Sequence, residues 1–341
     1  MVLVMVEHIH GKPIDLAKLK ANVLRDLEGQ SSFWTQYAQK LREFTTSVDS
    51  CPICGASSGK EAVSIQGFVW LQCDSCTHVY NSRRLAPETR SQFYESLEES
   101  INYSDTYTDP EVQTYRLEHV AKSKVDFINQ YVETQPASWI DLACGNGDIL
   151  YFASQLGHQV LGVEPNAACV EYAKEHYDQE VVLSSIEDYQ PSESQLFDVV
   201  SLLGITDIVP QPNELLGKSA KLLNPKGLMA VEFPNFNSIS TMVQNTFSDQ
   251  IVCRHMFPTV MNMYTFASAE LALRNAGLTI ETVWWYGMDI YELTTNLTLI
   301  KSAVKSSGLY NLLFQNMNDL QLVLDRKQLS DNFMILARKA K

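Results

Sequence analysis

Apolar positions fall into two regimes along the chain. From about Ile14 to Phe44 they recur at helical intervals: Leu16, Leu19, Val23, Leu24 and Leu27, then Phe33, Trp34, Tyr37 and Leu41. Gly29, Ser31 and Ser32 interrupt this pattern, which predicts two helices. From Ser138 onward, short apolar runs alternate with helical stretches. Strands are predicted at 138–143, 159–164, 180–186, 197–204 and 228–233, and helices at 148–156, 167–177 and 213–223. Such alternation implies an α/β fold, a parallel sheet with helices on both faces and ligands at the carboxyl ends of its strands. A helix over Ser268–Asn275 ends at Gly277, Leu278–Tyr286 predicts a sixth strand, and Asn332–Lys339 a final one. The expected divisions are a helical segment at 1–50, a small ribbon at 51–85, the α/β core at 86–287, a helical insertion at 288–331 and a last core strand at 332–341. The insertion would serve oligomer formation or shape a substrate site.

Cysteine spacing sets the ribbon apart. Of seven cysteines, four form the pairs Cys51-Pro-Ile-Cys54 and Cys73-Asp-Ser-Cys76, separated by 18 residues. Two residues between thiolates let both point at one ion, and two such knuckles complete a tetrahedron. The expected ion is Zn2+ in a structural role, because four thiolates leave no open coordination position. Gly55 suits the turn of the first knuckle, and Val63–Leu71 reads as a ribbon strand. His78 is expected to pack or to face solvent, and Cys144, Cys169 and Cys253 to be small buried apolar residues. Beyond the ribbon, Tyr94, Tyr103, Tyr107 and Tyr115 crowd the approach to a helix at about Pro110–Val132. These tyrosines either clamp the ribbon to the core or, through Tyr103 or Tyr107, close over a ligand.

Composition narrows the function classes. The 341 residues have room for one large domain and one or two small ones, and 45% hydrophobic content supports a substantial core. Lys+Arg 26 against Asp+Glu 40 gives a net charge of −14, which counts against nucleic acid as a partner. The apolar start Met1–Val6 is broken by Glu7 and His8, so no membrane span is expected. It also lacks a basic n-region with a cleavage site, and a cytoplasmic location with reduced thiols is the expectation.

The candidate chemistry centres on Asp141-Leu-Ala-Cys-Gly145-Asn-Gly147-Asp148. Gly145 and Gly147 let backbone approach a ligand, and the helix that follows presents free N–H groups. Glu164, closing the next strand, is placed to accept a ribose diol. A dinucleotide site requires G-x-G-x-x-G, whereas here Ala143 replaces the first glycine and Asp148 would repel a pyrophosphate. Asp141 and Asp148 instead suit a ligand bearing an ammonium, such as S-adenosylmethionine. The pattern resembles motif I of the class I S-adenosylmethionine-dependent methyltransferases, D-x-[AG]-x-G-x-G. Further likenesses follow in order: Glu164-Pro165-Asn166 for the ribose acid and its flank, Ser185-Ile186-Glu187-Asp188 for the adenine contact, Phe197–Gly204 for the fourth strand, and Leu222–Gly227 for the turn before the fifth. The resemblance implies a Rossmann-like seven-stranded methyltransferase sheet. It also implies that Asp141, Ala143, Gly145, Gly147, Asp148, Glu164, Pro165, Ile186, Glu187, Leu203 and Tyr107 bind S-adenosylmethionine.

The order C-P-x-C-G, C-x-x-C-x-x-x-Y, aromatic-rich helix and cofactor motif resembles bacterial zinc-containing methyltransferases, best known as sugar C-methyltransferases. Asp325…Ser330-Asp331 is similar to their closing segment. This resemblance implies a small acceptor, a nucleotide-linked sugar or a glycan or natural-product precursor, methylated at carbon or oxygen. It also implies acid/base groups in Pro234–Phe266, where His255 and Tyr264 are the candidates. The chain departs from the pattern there: Arg254 precedes His255, and Met261 stands where a nearer histidine is expected. After the fourth strand, Ile208 replaces a histidine common in small-molecule methyltransferases, leaving Asp207 to orient an acceptor or support a turn. Glu232, at the end of the fifth strand, would accept a hydrogen bond from substrate or cap the core edge. Two alternatives stand beside transfer to a small molecule: a cofactor-binding regulatory or assembly subunit, and a methyltransferase acting on RNA. A homo-oligomer is compatible with either.

Overall fold

A computed structural model describes residues 6–12, 14–15, 19, 27–86, 110–192, 195–248, 256 and 259–339. Its strands in chain order are β1 (Glu7–His10), β2 (Thr45–Ser47), β3 (Gly59–Ile65), β4 (Phe68–Cys73), β5 (Val79–Asn81), β6 (Arg83–Leu85) and β7 (Ser138–Leu142). There follow β8 (Gln159–Glu164), β9 (Val181–Leu183), β10 (Phe197–Leu202), β11 (Leu223–Pro234), β12 (Asn262–Met263), β13 (Leu278–Tyr286) and β14 (Asn332–Lys339). The central sheet runs β1-β13-β14-β11-β10-β7-β8-β9. Its pairs are parallel except where β14 lies antiparallel between β11 and β13.

The inner strands are apolar on both sides, as a sheet covered on both faces requires. Successive residues point to opposite faces. Trp139, Val199 and Ala230 therefore pack with Val125, Ile128 and Ile149 on one side. Ile140, Val200 and Val231 pack with Leu215, Leu216 and Leu273 on the other.

Seven of the eight strands follow the expected methyltransferase sheet; the eighth is β1, within the stretch expected to be helical. Glu-His-Ile-His is too short and too polar to register as a strand, yet β13 supplies three donors that hold it. Thr282 Oγ1 donates to the Glu7 carbonyl at 3.1 Å, Trp284 Nε1 to the Gly11 carbonyl at 2.8 Å, and Trp285 Nε1 to His8 Nδ1 at 2.9 Å. β1 thus covers what would be an open sheet edge.

The expected break at Gly29 and Ser31-Ser32 is also corrected. One helix, Leu27–Leu41, runs through all three residues. A mid-helix glycine costs about 1 kcal/mol. Burial of Ala38 and Leu41 against Ile65, Trp70 and Val79 of the ribbon outweighs that cost.

The ribbon sheet, β12-β5-β4-β3, borrows β12 from the α/β domain. Cys51, Ile53, Cys73, Cys76 and Tyr80 continue directly into the main core. Residues 288–331 form helices Asp289–Ile300, Gly308–Gln315 and Met317–Arg326 with a short 3-10 turn at Ser302–Ser306. A buried polar latch anchors them. Asp289 Oδ2 accepts from Gln321 Nε2 and the Asp331 N–H, both at 2.9 Å, and Gln321 Nε2 also reaches Asp325 Oδ1 at 2.9 Å. Among the described residues no helix is long and apolar enough to cross a membrane.

Candidate active site

β7 ends in a turn that bends sharply at its carboxyl edge. Ala143, Gly145 and Gly147 have φ of 59°, 53° and 82°, and helix Asp148–Gln155 starts at once. Glu164 ties this turn to the end of β8: Oε2 accepts the Gly145 N–H at 2.9 Å, and Oε1 the Asn166 N–H at 3.0 Å. A carboxylate has about four lone-pair sites, the acceptor chemistry that a ligand diol requires. Asp141 is 3% exposed and accepts from Ser201 Oγ at 2.5 Å; burial pushes its pKa up to about 7 against the opposing effects of Ser201 and Lys124. Burial also raises Asp148, which accepts from the Tyr177 hydroxyl at 3.1 Å.

Helix and sheet approach closely behind the turn because Gly162 on β8 has no side chain. A Cβ there would lie 2.6 Å from Cys144 Sγ and 2.7 Å from Leu150 Cδ1. In a dinucleotide site the third glycine of the turn allows this helix–strand packing. Here the glycine sits on the next strand.

The turn opens onto a cavity of about 700 Å³ lined by Asp141, Ala143, Gly145, Asp148 and Leu203. Its opposite wall is the helix preceding β7, which presents Gln113, Arg116, Val120 and Lys124. That helix is α-helical over Pro110–Arg116 and Lys122–Asn129, with a π-helical turn at Leu117–Ala121 between. In a plain α-helix eight residues overshoot two turns by about 80°. The extra residue of a π turn removes about 100°, so Arg116 and Lys124 come within about 20° of one face.

Glu232 on β11 forms the floor. Lys124 Nζ lies 2.6 Å from its Oε2, and the Tyr286 hydroxyl donates to Oε1 at 2.5 Å. Burial would raise the Glu232 pKa, but the charges of Lys124 and Lys12 and these hydrogen bonds override it and hold it at about 2. Lys12, just after β1, sits 4.6 Å over the Tyr286 ring.

The other expected site residues are dispersed. Gly147 is buried, where a Cβ would meet Ala173 Cβ at 3.0 Å, and Pro165 is exposed beside the turn. Ile186 and Glu187 line a second cavity of about 290 Å³ together with Arg84 and Lys218. Tyr107 and His255 lie outside the described residues, as do Tyr94, Tyr103, Arg254 and Cys253.

Tyr264, expected as an acid/base group, is 0% exposed and lines neither cavity. Its hydroxyl donates to the Thr206 carbonyl at 3.1 Å, and its ring meets His78 and Phe233 edge-on, each at 4.8 Å. Burial raises its pKa well above the usual phenol value. Tyr264 is a packing residue at the junction of ribbon and core. His78 is likewise fully buried, its pKa lowered to about 4 by burial. Asp207 is pushed up to about 7 by burial, while its backbone carbonyl accepts the N–H groups of Met261 and Asn262.

Sequence reasoning missed Arg116, Lys124, Tyr286 and Gly162. An α-helical wheel separates the first two, and the only sequence trace of Gly162 is a lone glycine inside a strand, a known sign of close approach.

The four expected metal ligands come together. The Sγ atoms of Cys51, Cys54, Cys73 and Cys76 lie within 4.8 Å of one another, with Cys51–Cys76 and Cys54–Cys73 at 3.5 Å. A tetrahedral ion bound at about 2.3 Å wants sulfurs about 3.8 Å apart, so the cluster could hold one. Each knuckle closes on its own backbone: the Gly55 N–H donates to Cys51 O at 2.9 Å and the Thr77 N–H to Cys73 O at 3.0 Å.

Residues 114–283, spanning the turn, the π-turn helix and the floor, match the family described as "Methyltransferase domain". The chain carries a methyltransferase domain. A ubiquinone biosynthesis O-methyltransferase from Rhodopseudomonas palustris (strain HaA2) is 31% identical over 103 residues, 29% of this chain and 40% of that protein. The corresponding enzyme of Xanthomonas axonopodis pv. citri (strain 306) is 26% identical over 169 residues, 47% of this chain and 70% of that one. The chain thus spans about two fifths of the length of the first relative. Both relatives are named for ubiquinone biosynthesis, not for sugar metabolism. A SAM-dependent methyltransferase structure from Archaeoglobus fulgidus aligns with a TM-score of 0.46 at 18% identity, over 72% of this chain and 99% of that one.

Proposed function

We propose that the protein transfers a methyl group from S-adenosylmethionine to an oxygen of a small-molecule acceptor. The carrying observation is a cavity lined by Gly145, Asp141, Asp148 and Arg116, with Glu164 bonded to the Gly145 N–H. Those groups match a ribose diol, an ammonium and a carboxylate. Glu164 would take the ribose, Asp141 and Asp148 the amino group, and Arg116 the carboxylate. Ile186, Glu187 and Leu203, with Pro165 and Tyr107, would flank the adenine, and Ala143, Gly145 and Gly147 would bring backbone close. When bound, the cofactor supplies an electrophilic methyl on a sulfonium.

Oxygen is favoured over carbon because carbon must first be deprotonated by a nearby base. Tyr264 is buried away from the cavity, which leaves His255 alone to carry that reading. The O-methyltransferase names of the relatives point the same way. The acceptor classes kept are a nucleotide-linked sugar, a natural-product precursor and a quinone precursor. We assign Zn2+ in a structural role to the four cysteines, in keeping with a reducing cytoplasm.

Calorimetric titration with S-adenosylmethionine, with NAD as the parallel ligand, tests the assignment. Saturable binding of S-adenosylmethionine alone is expected, at least tenfold weaker in Glu164→Ala with melting temperature retained. Binding of NAD, or of neither ligand, would overturn it; the latter favours a regulatory or assembly subunit.

A further inference from the structure

The helix Gly308–Gln315 carries apolar side chains on opposite flanks and buries none of its 8 residues. Tyr310 and Phe314 stack on one flank with ring centroids 5.3 Å apart, and Phe314 packs on the cluster of Ile14, Leu19, Ile290, Tyr291 and Met317. At about 100° per residue, Leu312 stands about 160° round the helix from both of them. It is 59% exposed, and Leu309, one turn earlier on the outward side, is 48% exposed. A surface helix needs one apolar stripe, whereas a helix apolar on opposite sides is covered on both. The charges nearby follow the same centre. No residue from Ser306 to Asn318 is charged, and the first charges beyond them, Lys305 and Asp319, lie equally far in sequence on either side of Leu312. Both are exposed, and among the described residues neither joins an ion pair.

We infer that a second copy of this chain covers the outward flank, the two helices packing antiparallel about a two-fold axis at Leu312. In a two-fold interface one patch must complement itself. An axis at Leu312 achieves this, because each residue before it then faces the residue equally far after it in the other copy. Lys305 of each copy meets the partner's Asp319, so an opposite-charge pair closes either end of an apolar centre. That is the core and polar rim of a specific interface. A foreign protein would not require such symmetry. A membrane surface is disfavoured, since the helix has no lysine or arginine and a chain of net charge −14 is repelled by anionic lipid. The hydrogen bond from Gln321 to Asp289 ties together the helices on either side, Asp289–Ile300 and Met317–Arg326, and so fixes where this flank is presented.

Sedimentation equilibrium of the full chain reads the assembly. The wild type should be a dimer, and Leu309→Ser/Leu312→Ser a monomer with an unchanged circular-dichroism spectrum. Lys305→Glu and Asp319→Lys each set like charges face to face at both ends of the contact, and each should weaken the dimer about tenfold. Mixing these two single variants should restore wild-type affinity, because in the mixed dimer both ends again pair opposite charges. The double variant Lys305→Glu/Asp319→Lys should dimerise like the wild type for the same reason. A role for either residue within one chain would give no rescue on mixing. A wild type that stays monomeric up to about 100 μM, a dimer that survives loss of both leucines, or single variants that mixing does not rescue would each overturn the inference. Cosedimentation of a monomeric wild type with phosphatidylglycerol vesicles would overturn it in favour of a membrane surface.

Discussion

Gly162→Ala probes the packing behind the cofactor turn with a single methyl group. The backbone conformation at Gly162 is an ordinary strand one, so the cost is steric. The new Cβ would sit 2.6 Å from Cys144 Sγ, 2.7 Å from Leu150 Cδ1 and 3.0 Å from Val181 Cγ2. Normal carbon contacts lie at about 3.5–4.0 Å, so two neighbours on different elements must each retreat by about 1 Å. Leu150 is fully buried and Cys144 nearly so. Overpacking of this kind costs about 1–3 kcal/mol. Cys144 directly precedes Gly145, whose N–H is held by Glu164, so the retreat also loosens the proposed ribose site. Thermal and urea unfolding of Gly162→Ala, Cys144→Ala and the double variant measure the clash as a double-mutant cycle. Removing the sulfur should recover about 1 kcal/mol of the loss, as a coupling between contacting residues. The Leu150 clash persists, so recovery is partial. Gly162→Ala as stable as wild type, or strict additivity in the cycle, would show that Gly162 is not what allows the helix to pack so near.

The latch of the helical insertion predicts a pH dependence. Burial holds the carboxyls of Asp289 and Asp325 up to about 7, whereas unfolded carboxyls ionise near 4. The folded chain therefore binds more protons between roughly pH 4 and 7, and this contribution is full below about 4 and lost as pH rises through 7. Asp325→Asn should flatten the fall in melting temperature between pH 5 and 8; an unchanged slope would refute the latch. Stripping the cysteine site with a chelator under reducing conditions should release about one equivalent of zinc. Because Cys51 and Cys73 pack into the main core, the whole chain should then unfold at lower temperature in one transition. A metal-free protein with unaltered melting would contradict the structural role.

Most of the α/β frame was legible because its strands are buried on both faces and read as apolar runs. Gln159–Glu164, Leu278–Tyr286 and Asn332–Lys339 all form strands at their expected limits. The glycine turn was legible because its conformational demands leave few residue choices. What escaped depends on partners distant in the chain. β1 is four residues held by tryptophans some 275 positions away. Asn262–Met263 becomes a strand only because β5 lies beside it. Arg116 and Lys124 share a wall only through the π turn, which no apolar period announces. Tyr264 had the right neighbourhood in sequence, but its hydroxyl is captured by the Thr206 carbonyl.

The place of β14 in the central sheet bears on how the chain assembles during synthesis. Among the described residues, β1 and β13 are hydrogen-bonded to the remaining strands of the central sheet only through β14, which pairs with β13 on one side and β11 on the other. At roughly 5–20 residues per second, β1 waits about 15–55 s for its partner to be made. Even then the two-strand piece is not joined to the sheet until Asn332–Lys339 has followed. The keystone of the fold is thus the last of the described strands to leave the ribosome, and a nascent chain halted before it would hold two unjoined parts of the sheet, each with a bare strand edge.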